Sequence, residues 1–430
     1  MRILVIGAGI GGLAAARALR TDGHDVTVHE RASALRTSGS ALTLWSNGTG
    51  ILADLGIPTE GLGAPIDLLE QRDYDGRVLM RIDVSLAATH YGHPHLAMPR
   101  RDLIRRLAEA LPTPRTETGT RTGTGAGTGA GEGTGAGEGT RPRTGTNSAN
   151  ATTTPTISFA NPCTAITQTP DHAQATFADG STAAADLIIG ADGARSVVRR
   201  HVWGSDPTTP TGWVTWQGLT PVDIDVVHER RGLMIVGPEG MCGLMPAGNG
   251  LLQWWFDVRR DPSEPPPTSP IAALRKRFGH WAAPVPHVLA AVTDADIEYF
   301  AHRRHKVPRT WSLGRATLLG DAAHTMPPTV AQGGNQALED AWALARALRR
   351  TADIPEALAD YRSSRARRAS LTARRAGSET TNKYLPTLSR LTPDALISRY
   401  HTRWLRQIST YLSDGPTAPD AVSAPASASA

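Results

Sequence analysis

The stretch Arg2-Ile3-Leu4-Val5-Ile6-Gly7-Ala8-Gly9-Ile10-Gly11-Gly12 decides the fold. Arg2 to Ile6 reads as a short buried strand, Gly11 to Arg20 as an alanine-rich helix and Val26 to Glu30 as the next strand, a βαβ start. Gly7-x-Gly9-x-x-Gly12 sits at the strand-to-helix turn. Gly7 permits the tight turn, and Gly9 lets the backbone approach a pyrophosphate. Gly12 lets helix and strand pack closely, and the helix N-terminus faces the anion. Glu30 ends the second strand, where a carboxylate accepts hydrogen bonds from a ribose diol and repels a 2′-phosphate. A bare glycine pattern is a weak signal; the strand-turn-helix context and the acid turn it into a dinucleotide site.

A second glycine-rich segment stands far down the chain. Leu319-Gly320-Asp321-Ala322-Ala323-His324 closes an apolar strand, Arg315 to Leu319, and places Asp321 to accept hydrogen bonds from polyol hydroxyls. Gln332-Gly333-Gly334-Asn335 then opens a long helix, Gly333 to Arg350. Its free N–H groups and positive dipole end suit negative charge on a bound ring. A nicotinamide dehydrogenase needs no second such site. Between the two, the strand Asp186 to Gly190 leads into Asp192-Gly193-Ala194-Arg195-Ser196, which opens another helix; an ordinary capped helix is the alternative. His324 reads as a structural histidine hydrogen-bonded near the loop, with a catalytic base as the alternative.

From Thr113 to Thr154 the composition collapses to Thr, Gly, Ala, Glu, Arg and Pro, a segment with almost nothing to bury and expected to be a disordered surface-loop insertion. Strand-like alternation resumes at 156–159, 165–167 and 173–177. Trp213 to Thr220, Gly232 to Val236, Cys242 to Pro246 and Leu251 to Val258 read as an antiparallel sheet, followed by helices near 271–279 and 284–292. Strands of the nucleotide domain therefore flank this block, and that domain is expected to be discontinuous.

The chain has 40% hydrophobic and 20% charged residues, ordinary for a globular enzyme, and a net charge of +5. Its densest basic run holds Arg362, Arg365, Arg367, Arg368, Arg374 and Arg375 with no acid. Helical spacing makes this a solvated face; the alternative is a docking surface for an anionic partner or cofactor phosphate. No nucleic-acid partner is expected. Cys163 and Cys242 fit no metal spacing and no disulfide framework, so no metal site and a reducing cytoplasm are expected. The apolar start Ile3 to Ala16 reads as strand-turn-helix rather than a signal peptide, and no apolar run reaches the roughly 18 residues of a membrane span.

Together these motifs resemble the class A FAD-dependent aromatic hydroxylases related to para-hydroxybenzoate hydroxylase, from residue 1 to about 375 outside the insertion. The resemblance implies an α/β fold: a discontinuous Rossmann-like FAD-binding domain, an antiparallel-sheet substrate domain and a helical C-terminal region. FAD-binding parts are expected at 1–70, 99–205 and 309–350, and substrate-domain parts at 71–98 and 206–308. C-terminal helices at 351–412 and a disordered tail at 413–430 complete the division. Gly7, Gly9, Ile10, Gly11, Gly12, Glu30 and Arg31 would hold the ADP half of FAD. Thr43, Arg100, Cys163, Asp192 and Gly193 would add contacts, the Asp192-Gly193 motif serving NAD(P)H as well. Gly320 and Asp321 would bind the ribityl or pyrophosphate region; Pro328, Ala331, Gln332, Gly333, Gly334 and Asn335 would lie against the isoalloxazine.

Ser40 to Gly48, Gly212 to Leu219 and Gly243 to Pro246 are similar to the bacterial urate hydroxylase branch. That branch carries Arg, Tyr and Asp for its purine where this chain has Met241, Gln253 and Thr329, so urate is not the expected substrate. The family usually has glycine at Ala331, and the extra methyl is expected to crowd the flavin edge. Trp213, Trp216, Met241, Gln253, Trp255 and Thr329 are the expected substrate lining, with tryptophans in the core as the alternative. The resemblance implies tight non-covalent FAD, reduction by transient NAD(P)H, and O₂ addition to give a C4a-hydroperoxyflavin. That species hydroxylates or epoxidises a small aromatic or heteroaromatic molecule. No side chain stands out as catalytic. A flavin-dependent halogenase shares the FAD fold, but its Trp-x-Trp-x-Ile-Pro signature is missing here. A prenyl-type reductase and a non-enzymatic FAD-bound binding module also stay open at this point. The oligomeric expectation is monomer or homodimer.

Overall fold

The computed structural model describes residues 1–36, 39–111, 157–261 and 263–414. The expectations for 113–154 and for the tail beyond 414 lie outside the described residues. A short helix, Thr410–Asp414, runs past the expected start of that tail at 413.

β1 (Arg2–Ile6), α1 (Ile10–Thr21) and β2 (Asp25–His29) come first. β3 (Ala41–Leu44) runs through Trp45 into α2 (Ser46–Asp54). The hairpin of β4 (Leu68–Asp73) and β5 (Val78–Asp83) precedes β6 (Leu96–Pro99) and α3 (Arg100–Glu109). β7 (Leu187–Gly190) and α4 (Val197–Trp203) lead to β8 (Thr209–Pro221), β9 (Arg231–Gly237), β10 (Gly240–Pro246) and β11 (Leu251–Arg259). Then follow α5 (Pro270–Phe278), α6 (Val285–Ala291), β12 (Glu298–Arg304), β13 (Ala316–Leu318), α7 (Gly333–Arg350), α8 (Ile354–Gly377) and α9 (Asp394–Ile408).

A six-stranded sheet has the order Ser312–Leu313, β13, β7, β1, β2, Ile157–Ser158. β1 pairs in parallel with both β2 and β7, and β7 pairs in parallel with β13. Ile3 to Ile6 are buried on both faces, which is why a strand central to a parallel sheet reads as a continuous apolar run. Leu13 to Ala16 of α1 are also fully buried, and the small alanines bring that helix close to its neighbours.

A seven-stranded sheet has the order β12, β8, β11, β10, β9, β4, β5. β11 alternates by strand periodicity. Trp254 and Phe256 pack with Phe278 and Trp281 of the α5–α6 layer, while Gln253, Trp255 and Asp257 face the other way. The sheet is not purely antiparallel as expected, because β4 and β9 run parallel. Its β4–β5 hairpin comes from the early chain and docks on strands made much later. β4 also runs across the expected boundary at residue 70. β6 begins inside the expected substrate segment 71–98 and ends one residue beyond it, yet it pairs with β3 in a separate three-stranded sheet.

Candidate cofactor and substrate site

The glycines of the first loop divide by what surrounds them. Gly7 has φ +109°, and a Cβ there would lie 2.4 Å from the Ala191 carbonyl oxygen. A Cβ on Gly12 would lie 1.9 Å from the Gly7 carbonyl oxygen, and one on Gly11 2.6 Å from Leu319 Cδ1. Only glycine fits at Gly7 and Gly12, where a side chain would strike backbone; at Gly11 the neighbour is the tip of a leucine side chain. A Cβ on Gly9 or Gly333 would meet nothing within 4 Å, so both backbones border open space. The first turns of α1 and α7 abut: a Cβ on Gly334 would lie 3.6 Å from Ile10 Cδ1. Glu30 accepts hydrogen bonds from the backbone N–H of Ala8 (2.8 Å) and Ala32 (3.0 Å), which fixes the acid beside the loop. Arg31, next to it, is exposed.

The second loop is held from behind. Gly320 has φ +59° and donates its N–H to Asp340 Oδ2 at 2.8 Å, and His324 Nε2 lies 2.6 Å from the same oxygen. His324 is fully buried, so the structural reading stands over the catalytic one. The Asp321 carboxylate has no hydrogen-bond partner among the described residues. Arg100 is solvent-accessible, yet desolvation pulls its guanidinium below the ordinary value against the field of Asp321. Asp192 Oδ2 accepts the Val197 N–H at 2.6 Å, while Oδ1 is buried without a partner among the described residues, and burial raises this carboxyl's pKa. Gly193 has φ +77° and open space at its Cβ position. Cys163 is buried, its thiol pushed up to about 11 by burial and then by the charge of Asp192.

At the start of α7, Ala331 adopts left-handed φ +48° after the short turn Pro328–Val330, in which Pro328 is exposed. Asn335 Nδ2 donates to the carbonyls of Ala331 (2.9 Å) and Thr43 (3.0 Å), and its Oδ1 accepts the Trp45 N–H (3.0 Å). The Trp45 indole N–H donates to the Ala331 carbonyl at 3.1 Å. Gln332 Oε1 accepts from Asn47 at 3.3 Å. The Asn335 side chain is fully buried in these bonds; Gln332 is buried as well, its Nε2 without a partner among the described residues. Left-handed alanine costs roughly 1–2 kcal/mol, of which glycine returns about 0.5–1 through its freer unfolded chain. Ala331→Gly should therefore stabilise the protein by about 0.5–1 kcal/mol. A lower urea midpoint for the variant would contradict this.

The expected substrate residues separate. Trp255, Met241 and Gln253 lie on the sheet face turned toward β3 and Ala331. Trp216 does not: it shares the opposite face with Trp254 and Phe256 and packs into the α5–α6 layer. Strand periodicity makes one residue of any adjacent pair point away. Trp213 stands at the sheet rim, with the Arg259 guanidinium 5.2 Å from its ring, lining a side cavity of about 220 Å³ with Arg277 and Tyr384. The Thr329 hydroxyl is committed to the Ala376 carbonyl at 3.0 Å. Beside Met241, Asp257 joins a buried group with Thr215, His302 and Glu379, and burial pushes its carboxyl up to about 6.

Three residues that hold this site carried no motif. Arg365 donates to Asp340 Oδ1 (2.8 Å), Glu339 Oε2 (3.3 Å) and Gln336 Oε1 (2.6 Å), and all three ions are fully buried. The basic run is thus a solvated face only in part: Arg362, Arg367, Arg374 and Arg375 are exposed, while Arg365 is core. The signal available in the sequence was the acid pair Glu339-Asp340 inside an otherwise alanine-rich helix.

An "FAD binding domain" family model matches residues 146–376, more than half of the 430-residue chain, and an "FAD dependent oxidoreductase" model matches 2–116. FAD-dependent urate hydroxylase of Klebsiella pneumoniae is 29% identical over 85% of this chain and 86% of its own length. 3-Amino-4-hydroxybenzoate 2-monooxygenase of Streptomyces cremeus is 30% identical over 87% of this chain and 86% of its own. The crystal structure of Klebsiella pneumoniae HpxO complexed with FAD and uric acid superposes with a TM-score of 0.79 at 26% identity, covering 95% of this chain and 97% of that one.

Proposed function

The chain belongs to the class A FAD-dependent aromatic hydroxylases, and from that membership we propose that it is an NAD(P)H-dependent monooxygenase acting on a small aromatic or heteroaromatic molecule. One observation carries the fit to FAD. Two glycine backbones facing open space (Gly9 and Gly333) lie at the abutting first turns of α1 and α7, near a carboxylate without a hydrogen-bond partner among the described residues (Asp321) and an accessible cation in its field (Arg100). Backbone N–H groups at paired helix starts suit a pyrophosphate and an electron-rich ring. Bound FAD would supply the redox chemistry: hydride acceptance from NAD(P)H and transfer of one oxygen atom of O₂ to the substrate, the other leaving as water.

The residues divide the remaining work. Gly7 to Gly12 and Glu30 would hold the ADP half, and Asp321, with Arg100 opposite, the polyol and phosphates. The backbone of Ala331 to Gly334 would lie along the ring. Trp255, Met241 and Gln253 would orient the substrate and exclude water, which limits wasteful peroxide release. No charged side chain at the 241, 253 and 329 positions matches a urate-type substrate. Among the described residues no helix is long and apolar enough to cross a membrane. The same reading puts the enzyme in the cytoplasm as a monomer or homodimer.

Purified protein should be yellow and release FAD on denaturation, and Asp321→Ala should lower its flavin content several-fold. Flavin is quantified by absorbance after heat release. Unchanged flavin in Asp321→Ala would overturn this placement of the cofactor, and colourless protein that ignores added FAD would overturn the function. A panel of aromatic compounds tested for stimulated NAD(P)H oxidation then checks the reaction class.

A further inference from the structure

Resting on the monooxygenase reading, we infer that the substrate is an uncharged, flat aromatic molecule with an N–H or O–H donor, and that the site discriminates against ring carboxylates. One row across the seven-stranded sheet sets Trp255 beside Gly243, then Met234, then Gln71. A Cβ on Gly243 would lie 2.0 Å from the Trp255 indole carbons, so the indole lies over the bare Gly243 backbone. Trp255 and Met234 are only partly buried, and they cluster with Met245, Trp45 and Ala331, beside the proposed flavin position. Met241 flanks the same wall in the next row. An accessible indole bordered by three thioethers offers a flat stacking surface and soft, polarisable edges, which suit a ring face and match no ionic group.

The polar groups on this wall are amides. Gln253 spends its N–H on the Ala41 carbonyl at 3.0 Å. Gln71 Oε1 is buried with no partner among the described residues, an acceptor that a ligand N–H or O–H would satisfy. The charged groups that flank this row are already engaged: Asp257, paired with Met241, lies in the buried group with Thr215 and His302, and Asp73, paired with Val236, has the Arg390 guanidinium at 3.6 Å. Arg72 and Arg231 project from the opposite face and neutralise Glu70. Arg259 lies further along β11, stacked on Trp213 at the rim. A carboxylate seated on Trp255 would lose its hydration beside indole and thioethers, with the neighbouring Arg390 already engaged by Asp73.

The test uses the FAD-loaded enzyme without NAD(P)H. Ligands are titrated while flavin absorbance and tryptophan fluorescence are followed. The probes are 1-naphthol against 1-hydroxy-2-naphthoate, and 2-quinolone against its N-methyl derivative. The neutral naphthol should bind at least about tenfold tighter than its carboxylate, and the N–H quinolone several-fold tighter than the N-methyl compound. Gln71→Leu should erase the second difference. Met241→Arg should narrow or reverse the first; if that variant fails to fold, Met241→Gln, closer in volume, should weaken the naphthol. Equal or tighter carboxylate binding, or no binding by any probe, overturns the inference. Tight neutral binding without any stimulated NAD(P)H oxidation would instead reject the monooxygenase reading and leave the ranking standing.

Discussion

Arg365→Met should lower stability by roughly 3–5 kcal/mol and strip the protein of flavin, the largest effect expected of any single substitution here. Arg365 is wholly buried and bonds Asp340, Glu339 and Gln336 at once. Methionine fills the space but leaves two carboxylates in the core without their cation. The damage reaches the cofactor site through one atom path: Arg365 holds Asp340, and Asp340 holds the Gly320 N–H at 2.8 Å. Gly320 in turn sets the position of Asp321. Arg365→Lys should recover only part of the loss, since an ammonium lacks the planar fork that reaches several acceptors together. Urea denaturation and flavin content are the measurements. A variant with the wild-type midpoint would show that this ion cluster does not hold the loop.

Acidification should destabilise the protein well before its ordinary carboxylates titrate. His95 and His401 are buried around the Trp45 ring, at centroid distances of 5.0 and 5.1 Å. Burial lowers both, His95 to about 3, with His401 adding to its shift, and His401 to about 4. Each folded-state value is depressed, so each contribution is full above the unfolded value near 6.5 and is lost as pH falls toward the folded one. Each histidine costs about 1.4 kcal/mol per pH unit in that window. Asp257 works the other way: its folded value is raised to about 6, so it binds a proton first in the native state and offsets one histidine between pH 6 and 4. The net expectation is about 3 kcal/mol lost between pH 6 and 4. His401→Leu should flatten that slope. Urea midpoints that stay constant from pH 7 to 4.5 would rule the mechanism out. Because Trp45 bonds both Ala331 and Asn335, the flavin-facing loop should loosen along with global stability.

Much of the frame was legible because its signals are local. A buried parallel strand must be apolar throughout, and a turn that meets a pyrophosphate must be glycine. Gly7 and Gly12 declare themselves in the sequence for the reason found in space: a side chain at either would strike backbone. The helix Gly333–Arg350 and the strand Arg2–Ile6 carry their boundaries in their own residues. The proposed substrate wall was less legible. Periodicity says that Trp216 and Trp255 lie on faces of strands, but not which face is toward the cofactor, and Trp216 points into the α5–α6 layer. Pairing register alone brings Trp255, Gly243, Met234 and Gln71 into one row, because residues far apart in the chain meet there only through the mixed sheet.

By itself, then, the sequence determined the dinucleotide turn, the strands and helices around it, and the resemblance that names the chemistry. These rest on steric and polar rules acting over a few neighbouring residues. Tertiary structure alone decided that Arg365 is core rather than surface and that Asn335 and Gln332 brace the loop from behind. It also decided that Ala331 takes a left-handed backbone and that the face proposed to meet the substrate presents sulfur, indole and amide. Each of those depends on which distant groups share a buried space, where an unpaired charge or a blocked backbone costs far more than any local preference.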